Sequence, residues 1–211
     1  MKFDALLKEL GDEPVFRSSL LLTGGRNPTD VHRQISRWVS AGKLIQLRRS
    51  LYMLADIYRK TTPHPFLLAN QIKDASYVSL QSALAYYGLI PEYVPVVTSV
   101  TTGRPESFET AVGGFLFKHI KKDFFSGYSL EKLAEGQSAF IATPEKALLD
   151  LIYLTPRADN AVYLRELRIQ HPERLDLDRL AQMAAASGSD KLMRAAALVS
   201  DVLQQEEYIE L

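Results

Sequence analysis

The sequence predicts an α+β protein, in which a small unit of short helices and one basic-tipped hairpin precedes a larger mixed region that ends in helices. Three observations carry this. Apolar residues recur at helical spacing near the N-terminus and then give way to two short strand-like runs. Bases crowd into the first sixty residues. Residues 59–65, with two prolines, two threonines and two bases, read as a linker between units. The expected division is therefore 1–60 and 61–211.

In chain order, Phe3, Leu6, Leu7 and Leu10 fall at i, i+3, i+4 and i+7, the stripe of a short amphipathic helix that Gly11 is placed to end. A second short helix is expected over 17–22, stopped by Thr23-Gly24-Gly25. Asn27-Pro28 supplies a cap and a proline at the first helical position. From there Val31, Ile35, Trp38 and Val39 define an inward face. Thr29, His32, Arg33, Ser36, Arg37 and Ser40 are left facing outward. Residues 43–47 and 51–54 then read as strands around Arg48-Arg49-Ser50.

Beyond the linker the pattern is mixed. Helices are expected at 65–73 and 80–87, the second closed by Gly88, with a short strand at 77–79 between them. Strands are expected at 96–101, 114–120 and 138–141. Thr143-Pro144-Glu145 is a strong helix start: hydroxyl cap, proline at N1, acid in the first turn. The helix over 147–154 is apolar nearly all round and so expected to be buried, and Ala- and Leu-rich helices follow at 178–186 and 190–207.

A hydrophobic fraction of 46% and a charged fraction of 24% belong to an ordinary soluble domain and argue against disorder. Apolar runs such as 20–22 and 147–149 are far too short to span a bilayer, and residues 1–10 hold no long apolar segment. The absence of cysteine removes disulfides, thiolate metal sites and cysteine nucleophiles. A cytoplasmic location is the expectation. Net charge is zero, yet residues 1–60 hold eleven bases against six acids. From Pro14 to Lys60 only Asp30 and Asp56 oppose nine bases, an electrostatic footprint for a polyanion.

Three helices followed by a basic-tipped hairpin is the layout of a winged helix-turn-helix. A helix of this kind fits the major groove, where side chains meet base edges that distinguish all four base pairs. The expected base readers are Thr29, His32, Arg33 and Ser36, with Arg33 foremost because its fork can bind guanine O6 and N7 together. Arg26, Arg37 and Lys43 are expected on phosphates, and Arg48 and Arg49 at the hairpin tip on a neighbouring backbone or minor groove. Tyr52 has two readings, packing beneath the hairpin or a phosphate hydrogen bond.

Three strings extend the argument: Tyr77-Val78-Ser79-Leu80-Gln81-Ser82-Ala83-Leu84, Tyr87-Gly88-Leu89-Ile90-Pro91, and Ala142-Thr143-Pro144-Glu145-Lys146-Ala147-Leu148-Leu149-Asp150. With the hairpin segment they make the chain, from its N-terminus to about Tyr153, resemble the AbiEi family of type IV toxin–antitoxin (abortive infection) systems. The resemblance implies a winged domain that represses its own promoter by binding inverted repeats in double-stranded DNA. It also implies a larger antitoxin domain, and a nucleotidyltransferase toxin countered without a stable complex. The family's hairpin carries Arg-Gly before its Tyr; here the segment is Arg49-Ser50-Leu51-Tyr52.

Enzyme signatures are weak. His32, His64, His119 and His171 show no metal-ligand spacing, and no cofactor is expected. There is no G-x-S-x-G elbow, and Thr23-Gly24-Gly25-Arg26 lacks the lysine and hydroxyl of a P-loop. Asp176 and Asp178 precede Gly188-Ser189, the reverse of the nucleotidyltransferase order, and suit a helix N-terminus. Glu145 and Lys146 read as cap and dipole partners. Tyr86, Tyr87, Tyr93, Phe124 and Phe125 read as core or as the lining of an effector pocket. Two alternatives therefore stand beside the repressor–antitoxin: a ligand-responsive regulator without a toxin, and a scaffold whose winged domain docks protein.

Overall fold

The computed structural model describes residues 1–23 and 25–209, with side chains through residue 204. Among the described residues it is a mixed α+β protein of eight α-helices and two sheets. None of the helices is long and apolar enough to cross a membrane.

Helix α1 (Phe3–Leu10) buries Phe3, Leu6 and Leu10, and Gly11 ends it at φ +59°, its N–H bonded to the Leu7 carbonyl. Only glycine takes that conformation without a Cβ penalty. The short helix expected over 17–22 is present as a 3-10 helix over Ser18–Leu22, with Arg17 belonging instead to the strand before it. Val15–Arg17 form strand β1, and a five-residue 3-10 turn, Ser18–Leu22, follows. Pairing draws Arg17 into the strand: Val15, Phe16 and Arg17 sit opposite Met53, Tyr52 and Leu51, satisfying a strand edge that would otherwise stay open. Gly24, part of the expected helix stop, lies outside the described residues.

Helix α2 (Pro28–Ser40) starts as the sequence dictates. The Asn27 side chain accepts from the Thr29 N–H at 2.9 Å, Pro28 stands at N1, and Val31, Ile35 and Trp38 turn inward. Strands β2 (Leu44–Arg48) and β3 (Leu51–Leu54) complete a three-stranded antiparallel sheet of order β1-β3-β2. Its two faces belong to different cores. Phe16, Leu44, Tyr52 and Leu54 pack with α1 and α2, whereas Leu47, Leu51 and Met53 pack with Leu68 and Ile72 of the larger region.

That region holds a six-stranded mixed sheet of order β6-β7-β5-β4-β9-β8. Its strands are β4 (Ser76–Val78), β5 (Val96–Thr101), β6 (Glu106–Thr110), β7 (Gly113–His119), β8 (Tyr128–Lys132) and β9 (Ser138–Ala142). The β5–β7 and β4–β9 pairs are parallel and the remainder antiparallel. The sequence carries no clear strand signal at β6 or β8, both edge strands with half or more of their residues exposed. Helix α3 (Pro65–Ile72) packs on β4, β5 and β9. Helix α4 (Leu80–Tyr86) packs on β5 and on α5 (Pro144–Leu154), which also meets α7 (Leu177–Ala186) and α8 (Asp190–Ile209). The short α6 (Ala161–Glu166) packs against α8.

Candidate nucleic-acid interface

The inward stripe of α2 leaves one continuous outward face: Thr29, His32, Arg33, Ser36 and Arg37 are all exposed. Arg33 reaches Asp30 only at 4.0 Å, with both side chains more than two-thirds exposed, a pair too loose and too solvated to hold either. The His32, Ser36 and Arg37 side chains have no partner among the described residues. This face is thus a set of donors and one ring left to solvent on a helix whose other side is anchored.

The hairpin differs from expectation. Arg49 is exposed and unpaired among the described residues, beside Ser50, which takes φ +68° to close the turn. The Ser50 carbonyl accepts from the Ser18 N–H at 2.9 Å, so the left-handed residue is tied to β1. Arg48 turns the other way. Its Nη1 donates to the carbonyl of Ile72, and its guanidinium lies 5.8 Å from the Phe108 ring centroid on β6. Tyr52 is only 7% exposed and packs on Phe16 with ring centroids 5.9 Å apart, which takes it off the surface.

Two further bases are partly committed. Arg26 Nη1 donates to Glu9 Oε2 and to the Leu21 carbonyl, both at 3.3 Å, binding the lead-in of α2 to α1. The Lys43 ammonium sits 4.8 Å above the Phe3 ring, a cation–π contact at the far end of α2. Of the ten residues expected on nucleic acid, the exposed set is Thr29, His32, Arg33, Ser36, Arg37, Arg49 and, with its partner, Arg26. Sequence reasoning could not separate Arg48 from Arg49, because adjacent hairpin residues differ in environment only once a second domain is in place.

The larger region holds a buried polar cluster at α5. Lys146 and Asp150 form an ion pair on α5, and Asp150 Oδ2 also accepts from Ser79 Oγ at 2.7 Å and Tyr77 Oη at 3.0 Å. Burial pushes the Asp150 carboxyl up, with Lys146, Ser79 and Tyr77 opposing. Burial likewise draws the Lys146 ammonium down against the pull of Asp150. Glu145 faces elsewhere: Oε1 accepts from the Asp176 N–H at 3.2 Å, and Oε2 lies 3.7 Å from Arg179 Nε. Glu145 and Lys146 therefore do not act on one another.

The remaining candidates are structural in geometry. Asp176 caps α7 by accepting from the Arg179 N–H at 2.9 Å. His64 caps α3, its Nδ1 accepting from the Phe66 N–H at 3.1 Å. His119 Nδ1 lies 2.9 Å from the Gly103 carbonyl. No three His, Asp or Glu residues cluster as metal ligands among the described residues. Tyr77 stacks on Tyr128 at 4.4 Å, and Phe124 stacks on Tyr153 at 4.7 Å, so these aromatics pack on one another. Tyr93, in contrast, is 89% exposed.

No protein-family model and no curated protein matches this sequence. A solved structure, the RV2827C protein from Mycobacterium tuberculosis, is similar in fold with a TM-score of 0.53 at 16% identity. The match covers 93% of this chain and 75% of that one. At this identity the likeness speaks to the α+β architecture alone.

Proposed function

We propose that this chain is a sequence-specific double-stranded DNA-binding repressor that reads the major groove with α2. The observation that carries the reading is the outward face of α2, where Thr29, His32, Arg33, Ser36 and Arg37 are exposed on a helix pinned by Val31, Ile35 and Trp38. The basic excess of residues 14–60 and the exposed Arg33, Arg37 and Arg49 are the electrostatic footprint a polyanion would complete. The element order α1, β1, 3-10 turn, α2, β2, β3, with β1 against β3, supports a winged helix-turn-helix. Arg33 would then meet base edges, while Arg26, Arg37 and Arg49 would bind phosphates.

The resemblance to AbiEi antitoxins extends this to autorepression through inverted repeats and to a neighbouring nucleotidyltransferase toxin countered without a stable complex. A ligand-responsive regulator is the second reading. In that reading the larger region senses a small molecule; the open cleft of about 220 Å³ beside α2 lies outside that region and is smaller than the roughly 300–1,000 Å³ of typical ligand sites. An adjacent toxin gene supports the first reading and an adjacent metabolic operon the second.

The deciding experiment is binding to the duplex immediately upstream of the gene, against scrambled duplex, at two salt concentrations. Selective binding that weakens steeply with salt supports the proposal, because phosphate contacts release counterions. No binding at low salt overturns it.

A further inference from the structure

The three-stranded sheet is fastened to the larger region by two arginines that converge on one place. From β2, Arg48 Nη1 donates to the Ile72 carbonyl while its guanidinium rests near the Phe108 ring at 5.8 Å. From β1, Arg17 Nη2 donates to the Gln71 carbonyl at 3.1 Å and to Asp74 Oδ1 at 2.6 Å. These are the two outer strands of the order β1-β3-β2, and both reach the last turn of α3. The last carbonyls of a helix lack intrahelical donors and carry the negative end of its dipole, so this is a natural seat for guanidinium groups. Between the two arginines, Leu47, Leu51 and Met53 fill the space against Leu68 and Ile72.

We infer that Arg48 and Arg17 are positioning residues for DNA recognition: they pin the hairpin, next to its Arg49 tip, onto the end of α3 and touch no nucleic acid themselves. The inference rests on the DNA-binding reading and deepens it. Two hydrogen-bonded arginines on opposite edges, with apolar contacts between them, resist both rocking and twisting of the sheet. Arg49 directly follows the pinned Arg48, so the tip is held in one place, while the angle between the sheet and α2 is set by the core that Leu44, Tyr52 and Leu54 share with Val31, Ile35 and Trp38. The larger region becomes part of the recognition device through the end of α3.

Salt dependence separates a positioning arginine from a phosphate-binding one. The full-length chain and its Arg48→Ala, Arg48→Lys and Arg49→Ala variants are titrated with the upstream duplex across a salt series, below the melting temperature of each variant. Arg49→Ala is expected to weaken binding and to flatten the salt slope by about one counterion. Arg48→Ala is expected to lose about three- to thirtyfold in affinity per folded molecule, the usual range for residues that couple two elements, with the salt slope unchanged. Arg48→Lys should recover much of that loss, since an ammonium can still donate to the Ile72 carbonyl. A flattened slope for Arg48→Ala, matching Arg49→Ala, would make Arg48 a phosphate contact and overturn the inference alone. Full affinity in Arg48→Ala would also overturn it alone. Failure of the unmodified chain to bind any duplex overturns the DNA-binding reading, and this inference with it.

Discussion

The Lys146 ammonium and the Asp150 carboxylate, one turn apart on α5, are paired with their side chains only 5% and 1% exposed. Tyr77 Oη and Ser79 Oγ bind the same carboxylate, so four side chains from β4, the β4–α4 junction and α5 share one sealed network. Such a pair gains little over a well-packed apolar one, but breaking it strands a charge. Asp150→Ala is therefore expected to cost about 3–5 kcal/mol in urea unfolding. A Lys146→Met, Asp150→Leu double variant should cost less than Asp150→Ala alone, though not zero, because Tyr77 and Ser79 lose their acceptor. Equal losses in the two variants would show that the charge balance is unimportant.

His64 gives stability a pH dependence. Burial holds its imidazole below the usual histidine range, and its Nδ1 must stay unprotonated to cap α3 through the Phe66 N–H. The folded state then binds fewer protons than the unfolded one between the lowered pKa and the ordinary histidine value of 6.5. Stability contributed by this cap is present above that window and is lost as pH falls through it. His64→Asn, which caps without titrating, should flatten the thermal-melt profile between about pH 7 and pH 5, the range over which histidine usually titrates.

The turn residue Ser50 sits at φ +68°, where L-residues with a Cβ are strained. Ser50→Gly should raise stability by up to about 1 kcal/mol, read as a higher melting temperature, with the Ser18 N–H bond to its carbonyl retained. Loss of stability would show that the chain entropy of glycine outweighs the relief.

Arg33→Ala should reduce discrimination at a single operator position by about 1–3 kcal/mol, measured across a panel of single-base operator variants. A uniform loss across the panel would instead make Arg33 a phosphate contact and would move the reading residue elsewhere on α2.

Residues 1–60 expressed alone should fail to form a stable monomer. Leu47, Leu51 and Met53, at 5%, 0% and 0% exposed in the whole chain, would face water. Uncovering three such side chains costs on the order of 5 kcal/mol, comparable with the entire stability of a small domain. A cooperative melt with no dye-binding apolar surface would refute this.

Local signals were read directly from the sequence. The Gly11 stop, the Asn27-Pro28 start of α2 and the Thr143-Pro144 start of α5 depend on neighbours within a few residues, and the structure follows them. The inward face of α2 was legible for the same reason, since helical periodicity alone assigns Val31, Ile35 and Trp38. Pairing was less legible. Strand β1, three residues long, carries no signal of its own until β3 offers it a partner, and β6 and β8, polar on much of their length, acquire strand character only from β7 and β9. The Lys146–Asp150 spacing is visible at i, i+4, yet on an isolated helix it would read as a solvated surface pair.

By itself, then, the sequence determined the end of α1, the starts of α2 and α5, the α+β class and the exposed polar face of α2, because those follow from backbone geometry, capping and periodicity over one to three turns. Only the tertiary structure decided that the hairpin is buried on both faces, that Arg48 and Arg17 seat on the end of α3 while Arg49 stays free, and that Lys146 and Asp150 are sealed together. Those outcomes depend on which surfaces meet across sequence separations of 24 to 73, as in the Arg48–Ile72 and Tyr77–Asp150 bonds. A side chain's charge is written at its own position, but the dielectric and the partners that give the charge its use are supplied by residues far away in the chain.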